Sequence, residues 1–352
     1  MNEIGTILVN GLDGIESTWL SNFSFQNHNP IKIFRSIKNL MSVRLVAPLV
    51  REVTRPSNRM YSASDGVQVE YRYIHSSHAP KNRATTFISG VGSPSQAIWF
   101  KQYALRRKLN ILLTNNRGAG ATALTDSGVL HRSALDVYEL CGHLGITEID
   151  VVGHSMGGMI ATLLYHQYGG DGVRIRSMTF VATPDVDPIE SFPLSSQIPV
   201  HLVADLVIDS LEGGKLDLGA GLIRGNRTIE RIVHSLTRKL GVKYSAAAFR
   251  HLVDNVLKNP RAVGVALREM REHGLAIGGM MSKIAVPTLV VYGHHDFLVS
   301  QVAAHRIKAK IAGASIMAFD DSTHAPQFEE PKRFNEILAE HIESTFPRLR
   351  SV

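Results

Sequence analysis

One cysteine, Cys141, stands in the 352 residues, so the chain can close no internal disulfide and build no cysteine-rich metal site. A reducing, cytoplasmic home is permitted. Long apolar runs are also missing, since none approaches the roughly 18 residues that span a bilayer. Met1-Asn2-Glu3 lacks the positive start of a signal peptide, and the apolar stretch after it is short and interrupted. Acids are outnumbered, 31 against 38 Lys and Arg, which leaves a formal charge of +7. The excess is local: Lys32, Arg35, Lys38, Arg44, Arg51, Arg55 and Arg59 face Glu52 alone, so residues 31–59 carry +6. The remaining chain is close to neutral, which argues against a basic face and against a nucleic-acid partner there.

What is present fits a globular protein, with 44% hydrophobic and 20% charged residues. The length suits one large domain, or one domain carrying an insertion. Residues 1–30 show no periodicity and read as a poorly ordered extension. From Ile31 the residues Ile33, Phe34, Ile37, Leu40, Met41, Leu45 and Leu49 can share one helical face. This basic amphipathic helix either meets an anionic membrane or a partner, or packs on its own domain with a solvated charged face. Residues 1–59 are therefore set apart as an extension.

The most informative stretch is 149–164. Ile149-Asp150-Val151-Val152 suits a buried strand, Gly153-His154-Ser155-Met156-Gly157 a tight turn, and the small and apolar residues after it a helix. A serine on so sharp a turn occupies a strained backbone, and side chains at the flanking positions would collide with the neighbouring strand or helix, which calls for glycine at both. The turn lifts the hydroxyl above the sheet edge and aims the first helical N–H groups at its target. Ser155 is the candidate nucleophile.

At these residues the sequence resembles the α/β-hydrolase superfamily, in which a nucleophile follows one strand, an acid a later strand and a histidine the last strand, in that chain order. Thr288 to Gly293 is an apolar strand leading to Asp296, and Ser315 to Phe319 another leading to His324. The resemblance implies a Ser155–His324–Asp296 triad on an α/β fold with a mostly parallel sheet flanked by helices. Asp185 and Asp187, after the strand from Arg174 to Ala182, remain rivals for the acid. His154 adjoins the serine and points away from it, so it is excluded as the base. His294 and His295 sit by the acid loop, either lining the pocket or on the surface. The residues His324 to Pro331 resemble the family's histidine loop, in which Glu and Pro follow several positions later.

Further expectations follow from matching positions. Tyr61 to Tyr73 reads as a hairpin turning at Asp65-Gly66. The strand from Ala84 enters Ser89-Gly90-Val91, where Ser89 replaces the family's usual His; Met156 N–H and Val91 N–H are the implied oxyanion donors. A helix is expected from about Pro94 to Lys108. Asn115-Asn116-Arg117-Gly118 resembles the family's Asp-x-Arg-Gly turn, with Asn115 in the Asp position, a departure expected to weaken a structural ion pair. Gly118 to Ala123 also satisfies a loose dinucleotide pattern, but Ser127-Gly128 interrupts any helix after it. Helices are expected over 129–144, 156–168, 299–312 and 331–346. Residues 185–283 lose the strand–helix alternation and stand where the superfamily inserts a helical cap, its glycines available as hinges, leaving 60–184 and 284–352 as the core.

The resemblance implies acyl transfer from an apolar small-molecule ester, in the manner of a capped esterase or lipase, without metal or organic cofactor. An acyltransferase, a thioesterase and a slow-turnover ligand receptor are the alternatives. The basic segment 31–59 adds possible membrane association to the cytoplasmic expectation.

Overall fold

The computed structural model describes residues 58–126, 128–170, 172–187, 208–213 and 258–345. The extension with its expected basic helix, and most of the expected cap, lie outside the described residues. The chain divides into two units at Ser57/Asn58, two residues before the expected boundary, because the first strand already starts at Arg59.

Eight strands form one sheet: β1 (Arg59–Ser62), β2 (Gln68–Ile74), β3 (Arg83–Ile88), β4 (Ile111–Thr114), β5 (Glu148–His154), β6 (Arg174–Val181), β7 (Thr288–Gly293) and β8 (Ser315–Phe319). Their spatial order is β1-β2-β4-β3-β5-β6-β7-β8. β1 and β2 pair antiparallel across the Asp65-Gly66 turn, β2 runs antiparallel to β4, and every other pairing is parallel. Parallel strands buried on both faces read as continuous rather than alternating apolar runs, as every residue of β3 and β4 being buried illustrates. After β3 the chain moves to one side for β4 and to the other for β5. That reversal opens a crevice at the carboxyl ends of β3 and β5, where open α/β sheets bind ligands.

Among the described residues the helices that flank the sheet include α1 (Ser95–Ile98), α2 (Leu130–His143), α3 (Met156–Tyr168), α4 (Pro260–Met280), α5 (Gln301–Lys310), α6 (Pro326–Glu329) and α7 (Pro331–Ser344). On one side α2, α3, α4 and α5 contribute to the main core, with Leu130, Ala134, Val137 and Cys141 of α2 at helical spacing. An aromatic group joins the sheet to α7: the rings of Phe87 and Trp99 lie 5.0 Å apart, and Phe334 sits 6.2 Å from both Trp99 and Phe319. This packing explains one departure from expectation. The helix expected from Pro94 to Lys108 is broken into α1 and a 3-10 helix, Phe100–Arg107, around Trp99, whose indole is drawn into the aromatic group.

The expected cap boundaries, 185 and 283, fall within segments packed on the core. The buried Asp185 carboxylate accepts from Arg306 and Lys310 of α5, at 2.7 and 2.8 Å. Gly278 of α4 leaves room for the Asp185 carbonyl, which any side chain there would overlap. Ala266, Met270, Ile277 and Met281 belong to the main core, so the segment 260–283 is packed on it.

Candidate active site

Ser155 joins β5 to α3 with φ 54° and ψ −123°, a conformation that L residues rarely adopt. Two close approaches account for the glycines around it. A Cβ on Gly153 would stand 2.5 Å from the Gly157 carbonyl oxygen, and one on Gly157 would overlap the Ile88 carbonyl at the end of β3. A Cβ on Gly90 would lie 3.0 Å from that of Ser155, so the 89–94 loop runs directly beside the serine. Met156 N–H is at the first helical position, where no intrahelical carbonyl is available to it. Val91 lies in the neighbouring loop, partly buried.

Asp296 and His324 follow β7 and β8, which are adjacent, and this places them together. Asp296 Oδ2 is 2.8 Å from His324 Nδ1. The other carboxylate oxygen accepts from Leu298 N at 2.8 Å and Val299 N at 3.0 Å. The Asp296 side chain is 1% exposed and that of His324 14%. A buried carboxylate holding two backbone donors stays oriented, and its bond to Nδ1 leaves His324 Nε2 as the outward nitrogen. The rival acids are engaged elsewhere: Asp185 with Arg306 and Lys310, and Asp187 with Arg271 at 3.3 Å. His294 is exposed, while its neighbour His295 donates its N–H to the Ser322 carbonyl, 3.0 Å away.

The histidine loop is braced from both ends. Glu329 accepts from Thr323 N at 2.6 Å and Thr323 Oγ1 at 2.7 Å, and Glu330 from Ser322 Oγ at 2.6 Å. Lys101 lies over the Phe328 ring, 4.4 Å from its centre, and donates to the Phe328 carbonyl at 2.9 Å. Burial lowers the Lys101 pKa from its ordinary value. His154, excluded as a base, turns its Nε2 to the His324 carbonyl, 2.8 Å away.

The 89–94 loop is held by a pair of residues that sequence reasoning undervalued. Asn116 Nδ2 donates to the Ser89 carbonyl at 2.8 Å, and Asn115 Oδ1 accepts from Ser95 N at 2.7 Å. Asn115 also donates from Nδ2 to Glu70 Oε2, 2.5 Å away, a bond an aspartate could not make. The departure at 115 thus exchanges one pairing for another. Arg117 keeps its ion pairs, to Asp136 of α2 at 2.5 Å and to Asp65 at 3.1 Å. Nothing in the order of residues signals the Glu70 partner, which β2 brings alongside β4.

Gly118 to Ala123 forms a turn, closed by Gly118 N donating to the Thr122 carbonyl at 3.1 Å, and does not open a helix. Asn259, which caps α4, donates to the Gly118 carbonyl at 3.0 Å. The stretch that matches the dinucleotide pattern is therefore a structural turn. Among the described residues no His, Cys, Asp or Glu group is arranged to hold a metal ion, and no helix is long and apolar enough to cross a membrane.

Comparison with known proteins agrees with this fold. The chain is 24% identical over 274 residues to the putative carbamate hydrolase RutD of Rhizobium rhizogenes, covering 74% of this chain and 93% of that protein. It is 23% identical over 292 residues to a monoacylglycerol lipase of Xenopus laevis, covering 78% and 80%. An esterase from Exiguobacterium antarcticum superposes with a TM-score of 0.60 at 18% identity, over 81% of this chain and 98% of that one. A model of the alpha/beta hydrolase fold matches residues 87–331, and the chain belongs to that family.

Proposed function

We propose that this α/β-fold hydrolase cleaves a carboxylic ester or related acyl bond through an acyl-enzyme on Ser155. The single observation that carries the reading is the 2.8 Å bond between His324 Nδ1 and the buried Asp296 carboxylate, at the sheet edge where Ser155 occupies a strained turn. Serine at its free pKa is a poor nucleophile, so His324 Nε2 takes its proton as the hydroxyl attacks the acyl carbon. Asp296 fixes the imidazole tautomer and stabilises the imidazolium. Met156 N–H and Val91 N–H receive the developing oxyanion, each donor contributing roughly 3 kcal/mol in comparable sites. His324 returns the proton to the leaving alcohol, and water, activated by the same histidine, then releases the acid.

The names of the relatives, one a putative carbamate hydrolase and one a monoacylglycerol lipase, support acyl chemistry and widen the substrate panel beyond simple esters. The test is initial-rate hydrolysis of p-nitrophenyl esters of increasing acyl length, with monoacylglycerols and carbamates alongside, comparing wild type and Ser155→Ala. Turnover that falls to background in Ser155→Ala, with an unchanged Tm, is the expected result. Turnover retained in that variant would remove Ser155 from the mechanism. A folded wild-type protein that ignores every substrate and resists a fluorophosphonate probe would favour the receptor alternative.

A further inference from the structure

Acyl transfer as proposed assigns no role to His154, yet this side chain is held in a specific way. The residue is 5% exposed, and its Nε2 lies 2.8 Å from the backbone oxygen of His324. A carbonyl oxygen can only accept, so Nε2 carries the proton and donates it. The His154 and His324 ring centres are 4.9 Å apart, and the Trp99 ring meets His154 edge-on at 6.2 Å. A Cβ on Gly90 would stand 3.3 Å from His154 Nδ1. Three pieces of the site thus converge on one imidazole: the serine turn, the 89–94 loop and the loop bearing His324.

The anchors of the histidine loop differ in where they lead. Thr323 and Ser322 are tied to Glu329 and Glu330 just downstream, and the Ser322 carbonyl to His295 in the acid loop. The His324 side chain is tied to Asp296. The bond from His154 leads instead to the strand that ends in the serine. We infer that His154 is a positioning residue: its Nε2–H, donated to the His324 carbonyl, couples the base-bearing loop to the serine turn and holds the His324 imidazole in register with Ser155 and Asp296. The effect on rate rests on the acyl-transfer reading; the coupling itself does not.

A buried carbonyl deprived of its donor turns to find another partner, and a turned peptide plane moves the Cα and ring of its residue. A displacement of about 1 Å at a reacting group can lower the rate by about a hundredfold. Two substitutions in the full chain separate the bond from the ring. His154→Phe keeps the ring and removes the donor. His154→Gln restores an amide nitrogen at the same number of bonds from Cβ as the imidazole Nε2.

Each variant is read by kcat and KM on the p-nitrophenyl ester that the wild type prefers, by Tm, and by the low-field proton NMR signal of His324 Nδ1–H, assigned by its loss in His324→Gln. His154→Phe should lower kcat by about tenfold to a hundredfold with KM nearly unchanged, and should broaden or shift the signal. His154→Gln should recover most of the rate and the signal. An unchanged signal in His154→Phe overturns the inference, whatever the rate. So does an equal loss in Phe and Gln that follows a common fall in Tm, which would make the imidazole a packing residue. If the wild type turns over no ester or carbamate and resists a fluorophosphonate probe while the signal is lost in Phe and kept in Gln, the coupling stands and the acyl-transfer reading falls.

Discussion

Asp185 and Asp296 are both buried aspartates that follow a strand of the same sheet edge, and their partners give them opposite expected behaviour. Asp296 faces an imidazole and two backbone N–H groups; Asp185 faces Arg306 and Lys310. Asp296→Asn should reduce kcat by about 10⁴-fold with a small change in Tm, because an amide presents the wrong partner to Nδ1. Asp185→Asn should lower Tm, since two cations lose their carboxylate, and leave kcat close to wild type. Asp187→Asn should spare kcat likewise. Kinetics and thermal melts of the three variants check the ranking, and a larger kcat loss at 185 or 187 would move the acid to β6. A second pair tests the turn after β4. Asn115→Asp would set a buried carboxylate against Glu70 and cost about 2 kcal/mol or more, visible as a lower Tm. Adding Glu70→Gln should recover most of that loss, and simple additivity of the two changes would refute the pairing.

The helices transmit such constraints because their buried faces are continuous. α7 places Phe334, Leu338 and Ile342 in the core at intervals of four, and brings His341 into the same packing. Burial pushes the His341 imidazole below its ordinary value of 6.5, against a weaker opposing pull from a backbone hydrogen bond with Met178. The sign follows from proton binding. The unfolded chain takes up the proton near pH 6.5 and the folded one resists it, so this contribution to stability is full above pH 6.5 and is lost as pH falls below it. Tm should therefore fall from pH 7.5 towards 5.5, and His341→Gln, which cannot titrate there, should shallow that fall; an unchanged slope would assign the acid sensitivity to other groups. α4 works by a different device. Its Glu269 accepts from Val129 N at 2.7 Å and Leu130 N at 2.8 Å, satisfying orphan donors at the start of α2. Neither partner is legible locally, because 140 residues separate them.

For the molecule as a whole, Cys141 offers a reporter of opening. It is fully buried in α2, and burial pushes its thiol up to about 12, so neither access nor thiolate is available to an alkylating reagent in the folded state. Labelling by iodoacetamide at pH 8 should track unfolding measured by circular dichroism across a urea titration. Labelling that precedes the main transition would reveal separate opening of α2. Because the unit beginning at Asn58 contains the whole eight-stranded sheet, removing residues 1–57 should leave ester hydrolysis within about twofold of wild type. A large loss would make the extension part of the working enzyme.

That Ser155, Asp296 and His324 each follow an apolar strand is legible in the chain, because parallel strands bury both faces. The same held for α3, whose span, Met156–Tyr168, matches the expected helix, and for the glycines that the serine turn demands. Local rules carry that information: side-chain size at a close approach and apolar periodicity are properties of neighbours in sequence. Partners brought together across the sheet are not. The choice between Asp296 and Asp185, the exchange of Asn115 for a bond to Glu70, the break at Trp99 and the seating of residues 260–283 on the core all depend on groups many residues apart. His154 is the clearest case. Its place beside the serine is evident, but its donation to the His324 carbonyl exists only because parallel pairing brings the carboxyl ends of β5 and β8 to the same edge of the sheet.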